Sequence, residues 1–308
     1  MAVIPPVEVE FIERAARYLE NPSFMVRLAD LVGVPVEGAL QLAPEALSRA
    51  VNLALRRSLD LAIVTLPRAE VPALSFPSRE DKVWWTGYRH SAGTAITGGL
   101  GGMFGSMGLL LELPVTTSLM LRSMTAIARD FGEDVRSIDV RLECLSLFGL
   151  GGPSGADDEM DASYLAMRAS LSSMVKHASK FVAHSPSREV LDSIKNGTAP
   201  TLVKFVGKIA QRFELSVSEK LIAQSVPIVG AVGGATINLL FSEHFNAVAR
   251  YHFGLRCLER RWGEETVRAI YQEASAVHRA RATRPKIPMP DYGYRGVASI
   301  TDQTTKPR

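Results

Sequence analysis

The sequence predicts an all-α fold, a multi-helix bundle of two similar helical halves, and three observations carry that prediction. Apolar residues recur three and four apart along almost the whole chain, the period of an amphipathic helix. No run of alternating β-branched residues bounded by hairpin turn signals interrupts that period. Proline and glycine stand where helices would start and stop: Pro44 and Pro114 at first-turn positions, where a missing N–H costs nothing, and Gly132 where a helix would end.

The elements follow in order. An amphipathic helix fills residues 1–20, and Asn21-Pro22-Ser23 reads as a stop and a fresh start, with Val34-Pro35 breaking the next segment. From Pro44 a helix runs to about Leu66, its stripe of Leu47, Val51, Leu55, Leu59 and Ile63 spaced by four, as a core helix requires. Pro67, Pro72 and Pro77 mark a connector that leads into DKVWWTGYRH. Between Ser91 and Leu111 there is then no charged side chain but seven glycines. Each glycine costs an exposed helix about 1 kcal/mol relative to alanine, so such a run is stable only where close packing or lipid compensates. Thr94, Gly98, Gly102 and Ser106 place a small residue at every fourth position.

Pro114 is expected to open the next helix, PVTTSLMLRSMTAIARDFG, and DVRSIDVRLECLSLFGLG a further one. Residues 151–161 read as an acidic Gly/Pro linker between a first half, 21–150, and a second, 162–281. The second half holds basic amphipathic segments over about 162–182, 199–213 and 217–224. Leu221 to Ser242 then carries no charge over 22 residues, with Pro227 inside and a small-residue step from Gly230 to Gly234. That repeats the device of the first half, and packing of Gly98, Gly102 and Ser106 near Gly230 and Gly234 is expected. HFNAVARYHFGLRCLERRWG and EETVRAIYQEASAVHRARA close the fold before a loose, Pro-rich tail at 282–308.

Composition bounds the class further. A mean hydropathy of +0.08 is at the apolar end for a globular chain. Cys144 and Cys257 stand far apart with no metal-binding spacing, which fits buried thiols in a reducing compartment, and the first twenty residues lack the pattern of a secretory signal. Residues 1–129 are electrically balanced, 130–161 carry two basic against nine acidic groups, and 162–308 carry 21 against 11. The basic half either meets an external anionic partner or neutralises the acidic middle across the fold. From Arg250 to Lys286 nine basic residues face four acidic ones, and Arg256, Arg260, Arg261, Arg279, Arg281 and Arg284 are the groups that would meet anionic lipid.

Leu113-Pro114 with a helix ending in IARDFGED, the run GGLGGMFGSMG before it, and above all VPIVGAVGGATINLLFSEHFNAVARYHF resemble the EcsC protein family, over roughly Asn21 to Gln272. The resemblance implies a helical, mainly bacterial protein of a family named for a gene beside an ABC transporter operon. It implies no established activity and no active site to carry over. The tail after Arg281 and the acidic stretch Asp157 to Asp161 fall outside it or in its variable part.

Recognised chemistry is sparse. There is no GxxxxGK[ST] phosphate loop, Phe104 stands where the third glycine after Gly99 and Gly101 would complete a dinucleotide pattern, and GxSxG fails at both Ser106 and Ser154. His177 and His184, and His244 and His252, lie roughly on one helix face each, a metal-ligand spacing that capping or surface histidines also show; no metal and no cofactor is expected. Polar residues at the edges of the apolar runs stand out more: Glu112, Asn238, Glu243 and, on one helix face, Arg122 and Arg129. Glu112 needs a partner if buried, and Arg122 is the nearest in sequence, so either a structural ion pair or a polar anchor for a head group in an apolar cleft is expected there. Trp84, Trp85 and Tyr88, beside Lys82, Arg89 and His90, have the composition of a membrane-water interface, or else cap a soluble core.

Three function classes follow. The leading one is a cytoplasmic protein, peripherally associated with the inner face of the membrane, that binds lipid or another amphiphile and no nucleic acid. The second is an accessory or scaffolding protein of a transporter or protease system. The third is a soluble helical enzyme with a cleft near Glu112 and Asn238, for which no catalytic constellation speaks. Whether the apolar segments enter lipid or are buried in the fold stays open, since proline and glycine interrupt both.

Overall fold

The computed structural model of this protein describes residues 4–20, 23–24, 44–64, 105–152, 163–225 and 234–282. Within them nine helices follow one another with no strand: α1 (Pro6–Leu19), α2 (Pro44–Val64), α3 (Gly105–Asp130), α4 (Ile138–Leu150), α5 (Tyr164–His184), α6 (Ser187–Asn196), α7 (Pro200–Ser225), α8 (Gly234–Trp262) and α9 (Glu264–Ala282). The all-α class stands.

At the centre is α4. Its residues from Val140 to Leu150 are all buried, so it has no solvent-facing side, as a helix surrounded by others must. It packs against α2, α3, α5, α7 and α8. The surrounding helices are one-sided: α1 turns Phe11, Ile12, Ala15, Ala16 and Leu19 inward, against α8 and α9. In α2 the expected stripe is buried at Leu47, Val51, Leu55 and Leu59, facing α3 and α7, while Ile63 is half-buried at the end. A side chain at Gly254 would put its Cβ 2.3 Å from Cζ of Phe11, so glycine there sets how closely α1 and α8 approach. Gly132, at φ 88°, follows the end of α3 in the left-handed conformation that its expected capping role requires.

Helices before and after the expected linker share this core. α3 packs on α8, the two helices into which the glycine-rich runs lead, and α4 packs on α5 and α7. Residues 149 and 150 belong to α4 and Gly151 and Gly152 are buried, while 153–162 lie outside the described residues.

Two expectations need correction, and one helix is additional to those expected. Pro114 does not open a helix but lies inside α3; it removes the backbone bond to the carbonyl four residues earlier, and Thr117 and Ser118 beside it donate side-chain bonds to the carbonyls of Leu113 and Pro114. The segments expected at 199–213 and 217–224 are one helix, α7, because Glu214, Leu215 and Ser216 contain no breaker. The short α6, ended by Gly197 at φ 67°, was not expected. Of the uncharged run 221–242, residues 221–225 finish α7 and 234–242 open α8, and 226–233 lie outside the described residues. Among the described residues, no helix is long and apolar enough to cross a membrane.

Candidate functional site

The helices α3, α7 and α8 each bring one polar residue to a common buried point. Lys220, fully buried, donates from Nζ to Oε1 of Glu112 at 2.7 Å, and Nδ2 of Asn238 donates to the same oxygen at 2.8 Å. A lysine with no solvent contact is rare unless paired, and this pairing explains its presence. Burial lowers the Lys220 pKa, against the pull of the Glu112 carboxylate. The ammonium also sits 5.4 Å from the ring centre of Phe241, whose neighbours Phe24, Phe213 and Phe245 extend an aromatic layer below it.

Hydrogen bonding at this point is incomplete. Glu112 accepts from Nδ2, which fixes the orientation of the Asn238 amide and leaves its Oδ1 buried with no partner among the described residues; Oγ of Ser242, one turn further along α8, is equally without one there. Each such buried acceptor or hydroxyl costs about 1–3 kcal/mol.

A second polar cluster lies further along α8 and is complete. Nε2 of His252 donates to Glu143 at 3.0 Å, which leaves Nδ1 to accept from the Tyr164 hydroxyl at 2.9 Å. Arg256 places Nε and Nη2 on the two oxygens of Glu133, both at 3.0 Å, and Nη1 on Glu143, and Arg260 also reaches Glu133. Burial pushes Glu143 up, but the hydrogen bonds and charges of His252 and Arg256 outweigh that and hold its carboxyl well below the usual range. Burial lowers the His252 pKa, partly offset by Glu143, and Arg168 and Arg256 lower it further. Between the clusters, His244 donates from Nε2 to the carbonyl of Gly151 at 2.7 Å and accepts at Nδ1 from Tyr18 at 3.0 Å, tying α1 and α8 to the end of α4.

Of the residues singled out in the sequence, Glu112 and Asn238 are thus brought together. Arg122 is not with them: Pro114 leaves both on one continuous helix, where ten residues separate Glu112 from Arg122 by about 15 Å of rise, and Arg122 is exposed. The partner of Glu112 is Lys220. Arg129 pairs with Asp130 at 3.0 Å, and Glu243 is half-buried and bound to Asn246 and Arg250 rather than to the cluster. Arg256, Arg260 and Arg261 are directed at the internal carboxylates of Glu133, Glu143 and Glu8, so for these arginines the acidic middle and the first helix take the charge that a lipid surface was expected to meet. Trp84, Trp85, Tyr88, Arg89, Gly98, Gly102 and Gly230 lie outside the described residues, while Ser106 and Gly234 begin α3 and α8. His177 and His184 are exposed, each with Nδ1 against the carbonyl four residues earlier.

Lys220 was legible in principle. Glu112 directly follows the first uncharged run and Lys220 directly precedes the second, so opposite charges mark matching borders.

Fold and site define an all-α bundle that buries charge-balanced pairs between helices and, among the described residues, gathers no three His, Cys, Asp or Glu that could hold a metal. The model of the EcsC protein family matches residues 10–258, and the chain belongs to that family. No curated protein and no solved structure matches it.

Proposed function

We propose that the protein is a peripheral membrane-associated helical protein, at the inner face of the membrane, that binds a lipid or another amphiphile through the point where Glu112, Lys220 and Asn238 meet. The observation that carries this reading is the unfilled hydrogen-bonding capacity of that buried cluster, above all Oδ1 of Asn238. Stable folds leave few buried polar atoms unpaired, and an unpaired one beside a buried lysine and an aromatic layer suits a polar head with an apolar tail. Sequence position adds support. Lys220 and Glu112 border the two uncharged runs and Asn238 lies in the second, so the cluster stands one to two helical turns from the ends at which α3, α7 and α8 adjoin them.

The engagement of Arg256, Arg260 and Arg261 with internal carboxylates changes the expected mode of association. Apolar contact, rather than a basic patch, is its driving force, and such contact survives salt that screens surface charge. Cell fractionation with successive high-salt, carbonate and detergent washes tests this. The protein is expected to stay with membranes through the salt wash and to be released by carbonate or detergent. Recovery in the soluble fraction at low salt, with no lipid extractable from the purified protein, would refute the reading.

A further inference from the structure

We infer that the Glu112–Lys220–Asn238 cluster takes an electrically neutral head group bearing free hydroxyls, as in an acylglycerol, and rejects a phosphate or carboxylate head. The inference rests on the amphiphile reading above and narrows its ligand.

Charge comes first. Lys220 and Glu112 sum to zero whether the pair is written as ammonium and carboxylate or as amine and carboxylic acid. The neighbouring acid, Glu219, is turned elsewhere, accepting from Oγ of Ser23 at 2.7 Å and from the backbone N–H of Phe24 at 2.9 Å. Among the described residues, the other polar side chains one turn away on the same helices are the uncharged Thr116, Ser216 and Ser242, all fully buried, and the half-buried Gln224. A phosphate would therefore enter a buried, already balanced site with no further cation among the described residues to offset it, and an uncompensated buried charge is strongly disfavoured.

The hydrogen-bond inventory makes the same selection independently. The open position on Asn238 is an acceptor, Oδ1, and it needs a donor. A carboxylate or a fully ionised phosphate has none to give, whereas a hydroxyl has one. Lys220 has three N–H groups as an ammonium and spends one on Glu112, so it can donate to the oxygen of the same or an adjacent hydroxyl. Ser242 offers a further hydroxyl one turn away. A vicinal diol, or a hydroxyl beside an ester carbonyl, meets both needs at once.

The test equilibrates the full-length protein with phosphatidylcholine vesicles that contain either dioleoylglycerol or dioleoylphosphatidate. The protein is re-isolated and the retained lipid quantified by mass spectrometry, with free glycerol in a parallel arm read by melting temperature. Dioleoylglycerol is expected to be retained in preference to dioleoylphosphatidate. Asn238→Leu, which removes the open acceptor and keeps the branched outline of the side chain, should cut that retention about tenfold, the effect of losing one buried hydrogen bond. Should that variant fold poorly, the charge-balanced Glu112→Gln/Lys220→Met double variant removes the lysine donors and should lose retention likewise. Equal or better retention of phosphatidate would overturn the neutral-head inference and leave the amphiphile reading standing. Retention of neither lipid would overturn both. Retention unchanged in both variants would place the ligand elsewhere and overturn the inference. A melting shift with free glycerol as large as with dioleoylglycerol would keep the hydroxyl chemistry but remove the lipid as its source.

Discussion

Towards its C-terminal end α8 contributes His252 and Arg256 to a cluster in which both ring nitrogens and all three guanidinium nitrogens are hydrogen-bonded. Near its N-terminal end the same helix contributes Asn238 to a cluster with an empty acceptor beside a lysine that has no solvent contact. The first cluster opens to water at Arg256, with 27% of that side chain exposed, yet wastes no bond; the second is sealed, with Lys220 at 0%, and leaves bonds unmade. Completed bonds mark a device that fixes helices, whereas the open acceptor of Asn238 and the hydroxyl of Ser242 are the groups the proposed ligand would engage.

The largest expected effect comes from breaking the sealed pair. Lys220→Met strands the Glu112 carboxylate and should cost about 3–5 kcal/mol in urea denaturation, while adding Glu112→Gln should restore most of that, because replacing a whole buried pair is often neutral. A double variant no more stable than the single one would show that the two charges do not act as a unit. Arg256→Met, at the wet edge, takes one partner each from Glu133, which keeps Arg260, and Glu143, which keeps His252, and should cost less, about 2–3 kcal/mol, with lipid retention unchanged.

A pH profile separates the clusters again. Folded His252 resists protonation, while the unfolded chain takes up a proton near the ordinary histidine value of about 6.5, so stability should be complete above that pH and fall as the pH drops below it. Glu143, held below the usual carboxylate range, adds a further loss only below about pH 4.3. Melting curves across this range should show the first decline in the native protein and a weaker one in His252→Gln. The smallest effect is expected at Arg136, whose pair with Asp134 is exposed on both sides: Arg136→Ala should change stability by less than about 0.5 kcal/mol, the baseline against which the other variants are read.

Local signals carried most of the fold. Helical spacing, Pro44 at a first-turn position and Gly132 at an end were readable because each acts within a few residues. Pro114 misled, since proline at a first turn and proline inside a long helix look alike until the preceding residues are seen to be helical. The cluster was half legible: Glu112 and Asn238 stood out as polar residues at or within apolar runs, but the meeting of Glu112 with Lys220 and Asn238 bridges more than a hundred residues, and nearness in sequence favoured Arg122. The arginines of α8 showed the converse. Their number was plain, but only the packing of α8 against α1, α3 and α4 brought Arg256, Arg260 and Arg261 onto Glu8, Glu133 and Glu143.

The contrast between the clusters is tested most directly by ligand-induced thermal stabilisation, measured with dioleoylglycerol on the native protein, Asn238→Leu and His252→Gln. A ligand that binds only the folded state raises stability with its concentration, by about 2.7 kcal/mol at a hundredfold excess over its dissociation constant. The native protein and His252→Gln should show the same rise from different starting temperatures, and Asn238→Leu should show none. A rise that persists in Asn238→Leu and disappears in His252→Gln would reverse the roles assigned to the two clusters.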